Sequence, residues 1–232
     1  MDVFHEISKF ALDHFDFRLD VIASYGKFFL LGALYTVVIS LIGIVLCTIL
    51  GLIVSLGKMF TPKGINFIFV WWIDFFRGTP LLVQIFIVHF GVMHYFMNSV
   101  NPVYSAVVAL ALNHSAYIAE IFRAGIQSID KGQTEAARSL GMTQAQSMRL
   151  IILPQAFKVI IPALGNEFIA LLKDSSLAAV IAAPELLYWA KIASAQYAVV
   201  WEPYLSVAVL YLVLTMTLSK VVDFIERRLQ TE

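Results

Sequence analysis

Glu135-Ala136-Ala137-Arg138-Ser139-Leu140-Gly141, followed after nine residues by Ile151-Ile152-Leu153-Pro154, is the stretch that organises this chain. It is short, polar and punctuated by glycine, inside a protein that is 60% hydrophobic. Its local signals describe two small helices joined by a turn. Asp130 with Gln133, and Thr143 with Gln146, have the spacing of a capping box. In that device the first side chain and the third-following Gln satisfy the free amides of a helix start. Gly141 between them can close the first helix in the left-handed conformation without a Cβ clash. Pro154 either stops the second helix or opens the next one at its first turn. Lipid offers a polar hairpin no partner, so it reads as a docking knob between membrane spans.

The rest of the composition demands a membrane. The chain has 232 residues, a mean hydropathy of +0.82 and only 14% charged residues, more apolar surface than a soluble domain of this size buries. Net charge is zero, which argues against nucleic acid as a partner. The single cysteine, Cys47, excludes an intrachain disulfide. Gly51 to Gly57-Lys58-Met59 comes nearest to a phosphate loop. It has one residue too many, and Met where Ser or Thr would hold magnesium. Any nucleotide is therefore expected on another chain. Residues 1–26 lack the apolar core of a signal peptide. Val3, Phe4, Ile7, Phe10 and Ala11 recur at helical spacing and suggest a short interfacial helix, with disorder as the alternative.

Five spans are expected: about 27–57, 65–95, 103–123, 158–173 and 203–225. The second is interrupted at Arg77-Gly78-Thr79-Pro80, and 176–200 reads as a short extracytoplasmic helix and loop. With the N-terminus outside, Lys58, Lys63, Arg123, Lys131, Arg138, Arg149, Lys158, Lys220, Arg227 and Arg228 lie on the inner side. Lys9, Arg18, Lys27, Lys173 and Lys191 lie outside, and Arg77 within the membrane completes the 16 basic residues. The inner excess fixes this orientation and puts the hairpin and the C-terminus in the cytoplasm.

Polar groups inside spans mark the places where function is expected. Gly32, Thr36, Ser40, Gly43, Cys47 and Gly51 form one small-residue face suited to close helix packing. Asp74 and Arg77, three apart, can pair, or Arg77 can hold a ligand carboxylate in a bidentate fork. Pro80 frees backbone groups that a ligand could use. Asn113, Tyr117 and Glu120 share a face beside His114, where Glu120 is expected to pair with Arg123 and His114 to be structural. Asn166 and Glu167 stand mid-span, and Glu167 shares a face with Asp174. Glu167 is a candidate holder of an ammonium group, or one half of an interspan ion pair.

These residues resemble a family. Glu135, Ala136, Ala137, Gly141, Ile151, Leu153 and Pro154 match the EAA-x3-G-x9-I-x-LP loop of ABC importer permeases. Phe76-Arg77-Gly78-Thr79-Pro80-Leu81-Leu82-Val83-Gln84, Ala116 to Ile126, and Gly165 to Leu177 with its Lys173-Asp174-Ser175-Ser176-Leu177 are similar to blocks of the amino-acid branch. The resemblance implies an all-α polytopic fold of about five transmembrane helices, with 25–229 as the transmembrane domain and 130–154 as the cytoplasmic coupling loop. Residues 1–24 would be an extracytoplasmic amphipathic segment. It further implies a non-catalytic permease subunit in a bacterial inner membrane, paired with a second permease, the same or homologous. Two ATPase subunits would bind ATP and magnesium, and a soluble binding protein would deliver a polar amino acid to a cavity lined by Arg77, Thr79, Asn113, Asn166 and Glu167. The alternative is an ion-coupled secondary amino-acid transporter using Glu120 or Glu167. Such carriers are usually longer and built from inverted repeats, and they have no use for the hairpin.

Overall fold

The computed structural model of the chain describes residues 17–97 and 100–230, so the apolar periodicity expected over residues 3–11 lies outside them. Among the described residues every element is helical. The helices are α1 (Leu19–Phe60), α2 (Lys63–Gly78), α3 (Leu81–Phe96), α4 (Pro102–Gln127), α5 (Lys131–Ser139), α6 (Gln144–Ser147), α7 (Leu153–Asp174), α8 (Leu186–Tyr197) and α9 (Trp201–Gln230). Four helical stretches are long and apolar enough to cross a membrane, and the pair α2–α3, bent by 105° at its break, makes five.

Helix α4 is the centre of the bundle. Its apolar window is 72% buried, against 33% for α1 and 11% for α9, which present Leu30, Leu34, Ile49, Val209 and Met216 outward. In a membrane that outward face meets acyl chains, which are as apolar as the side chains themselves. The small-residue stripe of α1 lies against the core. All six members are buried, Gly32 at the backbone of Leu186, Gly43 at Leu171 and Gly51 at Ile118 and the Ser115 carbonyl. The stripe is thus a packing surface.

Two boundaries differ from expectation. Helix α1 begins at Leu19 rather than near Lys27 and spans about 63 Å at 1.5 Å per residue, twice the hydrocarbon thickness. Tertiary contacts support the extension: Tyr25 and Phe29 pack with Leu186, Ala190 and Val207, and the Arg18 amide donates to Glu202 Oε1 at 2.9 Å. The fourth span is longer than 158–173. Helix α7 starts at Leu153 with Pro154 in its first turn, and a π-helical turn over Met148–Ile152 joins it to α6. Proline lacks the N–H that an unbroken α-helix would need there, and the wider turn absorbs the mismatch. The segment 176–200 does hold the expected short helix: a 3-10 turn over Ser175–Ile181 continues α7, and α8 follows. The buried Glu185 carboxylate caps α8, accepting from the amides of Leu187 at 2.9 Å and Tyr188 at 2.7 Å and from the Tyr211 hydroxyl at 2.6 Å. The acid in this segment is therefore the cap of its helix.

Candidate functional site

Pro80 creates the site. Its missing N–H would have bonded the Phe76 carbonyl, and helix α2 ends at Gly78 for want of it. The orphaned carbonyl does not wait for a ligand. Asn113 Nδ2 and Gln84 Nε2 both donate to Phe76 O at 3.0 Å. Gln84 Nε2 also lies 3.1 Å from Thr79 O, and the Thr79 hydroxyl donates to Phe75 O at 2.8 Å. The expectation that these groups were free is corrected: two buried amides satisfy the break and so hold it rigid. Gln84 was not singled out in the sequence. A glutamine four residues past a proline in an apolar span was the available signal.

The bend opens a cleft of about 490 Å³ between α2, α3, α4 and α7. Arg77, Thr79, Asn113 and Glu167 line it, as expected, and Asn166 does not, because it lies on the exposed side of α7. His114, Tyr117 and Asp174 complete the polar wall. Arg77 and Asp74 form no ion pair. The Arg77 guanidinium carbon sits 5.3 Å from the ring centre of Tyr117, while Asp74 lines a separate hollow with Asn66 and Trp71. Spacing of three residues permits a pair without requiring one, and the ring across the cleft offers the cation another partner. Glu167 is engaged by His114, whose Nδ1 lies 2.6 Å from Oε1. His114 Nε2 is 3.5 Å from Asp174 Oδ2, within ion-pair range but without a hydrogen bond. Toward the hairpin end of α4, Glu120 pairs with Arg123 at 2.7 Å as expected, and also takes Lys58 Nζ at 2.7 Å.

The hairpin is equally defined. Thr143 and Gln146 form the complete capping box. Asp130 caps α5 through the Gly132 amide at 2.7 Å, but Gln133 does not return the bond; its Oε1 instead lies 3.4 Å from Gln155 Nε2 on α7. Gly141 takes φ +83°, with its amide on Arg138 O and that of Met142 on Ala137 O. This pair of bonds is a Schellman closure. Ala137 faces inward, whereas Glu135, Ala136 and the 84% exposed Leu140 face out. Pro154 is exposed beside half-buried Ile151 and Leu153 at the hairpin's return. Leu140 is not among the residues that the sequence motif marks. An apolar residue just before a turn glycine in a polar hairpin was its signal.

The comparisons with known proteins agree with this architecture. The family described as "Binding-protein-dependent transport system inner membrane component" matches residues 48–231. The "Probable glutamine ABC transporter permease protein GlnM" of Bacillus subtilis (strain 168) is 41% identical over 199 residues, 86% of this chain and 92% of the relative. The "Arginine transport system permease protein ArtQ" of the same organism is 39% identical over 208 residues, covering 88% and 93%. Among solved structures, a chain of "Crystal structure of an amino acid ABC transporter with histidines" is 43% identical with a TM-score of 0.85, over 89% of this chain and 96% of that one.

Proposed function

We propose that this chain, which belongs to the family of binding-protein-dependent transport system inner membrane components, is the permease subunit of an ATP-driven importer for a polar amino acid. One observation carries the reading: the same chain has a charge-lined cleft between its apolar helices and an exposed, capped hairpin. In the cleft the α-carboxylate of an amino acid would meet Arg77, and its ammonium the acidic side, where Asp174 stands open and Glu167 is backed by His114. Asn113 and Thr79 hold the walls in register. Asn166, outside the lining, is not assigned a contact.

The hairpin, through Glu135, Ala136, Ala137, Gly141, Ile151, Leu153 and Pro154, would dock on an ATPase subunit. Two such subunits would bind ATP and magnesium, and a second permease, identical or homologous, would complete the pathway. Binding of ATP draws the ATPases together, the hairpins pass that motion to the spans, and the cleft opens outward to a soluble binding protein; hydrolysis resets it inward. In this scheme the chain catalyses nothing itself. Its place is a bacterial inner membrane, with the N-terminus outside and the C-terminus in the cytoplasm.

The test is uptake by the purified complex in proteoliposomes across a panel of amino acids and sugars. Amino-acid uptake is expected to require ATP and loaded binding protein. Uptake driven by a proton or sodium gradient alone would replace this reading with ion-coupled transport.

A further inference from the structure

Arg77 and the acidic wall account for a zwitterion, but they leave His114 without a task. It stands at the centre of α4, 2% exposed, where an apolar residue would pack at no polar cost. Glu167 and Asp174 project from α7 seven residues apart, on one face of that helix. The imidazole reaches across from α4 between them, at 2.6 Å from Glu167 Oε1 and 3.5 Å from Asp174 Oδ2. The two acids are consequently unequal. Glu167 is held by a short charge-assisted contact and its side chain is 15% exposed, whereas that of Asp174 is 47% exposed.

Among the described residues the cleft therefore has one guanidinium without an ion pair, Arg77, and one acid that stays open to the cleft, Asp174, with the His114 ring at the longer 3.5 Å. These anchor the two charges of a zwitterion. A substrate with an additional cationic side chain needs a second free carboxylate, and Glu167 already carries the His114 imidazole on Oε1. An unpaired cation in that position would be desolvated beside a buried ring, which is costly.

We propose that His114 sets the substrate class of the cleft: by holding Glu167 it admits amino acids with uncharged side chains and excludes those with a cationic one. The proposal rests on the reading that the cleft takes an amino acid. His114 is a positioning residue here, acting through Glu167.

Equilibrium binding to the purified permease–ATPase complex, without binding protein, lets the cleft itself select. Labelled glutamine and arginine are the probes, similar in length and different in charge, with the remaining amino acids as unlabelled competitors. Wild type is expected to prefer glutamine. His114→Ala and His114→Asn should each move the ratio at least tenfold toward arginine, and adding Glu167→Gln to either should bring the ratio back. Glu167→Gln alone leaves His114 to turn on Asp174, so glutamine weakens and arginine stays excluded; this variant tests the proposal even where the His114 variants fail to assemble. Wild-type preference for arginine overturns the proposal, as does an unchanged ratio in the His114 variants, the result a merely structural histidine would give. An arginine gain in Glu167→Gln overturns it too. All three outcomes leave the amino-acid reading in place. Binding of no amino acid at all removes both.

Discussion

Asn113 Nδ2 lies 3.0 Å from the carbonyl oxygen of Phe76, the group that Pro80 deprives of its helical donor. Gln84 supplies the second donor to that oxygen and accepts from Asn113 at 3.0 Å, so one closed triangle of amides spans α2, α3 and α4. The 105° break that shapes the cleft is thereby a fixed feature of the fold.

Removing either amide should therefore cost stability. A buried polar group left without its partner costs about 1–3 kcal/mol, and Asn113→Ala takes the donor from Gln84 Oε1. Asn113→Ala should lower the melting temperature of the detergent-solubilised complex, and Gln84→Leu should lower it further, since that side chain also reaches Thr79. Unchanged melting of both variants would mean that the break is held by other contacts.

Arg77→Gln should weaken amino-acid binding by about tenfold or more, because a charge-assisted hydrogen bond is worth about 1.5–3 kcal/mol. Glu167→Gln should impair uptake as well, while assembly with the ATPase survives in both. Normal transport kinetics for the two variants, measured in proteoliposomes, would remove them from the substrate site.

Gly141→Val should uncouple the complex. A β-branched residue at φ +83° is strained by about 1–2 kcal/mol, which opens the Schellman closure on Ala137 and Arg138 and tilts Leu140. The protein should still insert, but ATPase stimulation by loaded binding protein should fall sharply along with transport. Wild-type stimulation would take the hairpin out of the mechanism.

Gly51→Ala should loosen the α1–α4 contact. Its Cβ would stand 2.6 Å from Ile118 Cγ2 and 2.9 Å from the Ser115 carbonyl, and overpacking of this kind costs about 1–3 kcal/mol. Gly26→Ala, where nothing lies within 4 Å, is the control and should melt no lower than wild type. Equal behaviour of the two variants would contradict the tight stripe.

Orientation is tested with single cysteines in a Cys47→Ala background. Gln144→Cys, at the exposed start of α6, should be labelled by an impermeant maleimide only after the cells are opened. Tyr95→Cys, where the native side chain is 84% exposed, should be labelled in intact cells. The reverse pattern would turn the topology over and detach the hairpin from any cytoplasmic ATPase.

What the sequence determined alone is whatever local chemistry decides. In lipid an unbroken helix satisfies its backbone groups within its own segment, so apolar length and a proline suffice to declare the spans and the break at Gly78-Thr79-Pro80. The Thr143–Gln146 box, the left-handed Gly141 and the Glu120–Arg123 pair are likewise contacts within a few residues, readable from spacing. Tertiary structure decided which distant partner each buried polar group takes. His114 found Glu167 across 53 residues and Gln84 and Asn113 closed on Phe76, whereas Arg77 ignored Asp74 for Tyr117. It also decided that Asn166, one residue from Glu167, stands outside the cleft and that α1 runs on to Leu19. A helix turns 100° per residue, so neighbours in sequence face different surroundings. A buried polar group takes whatever partner packing brings within about 3 Å.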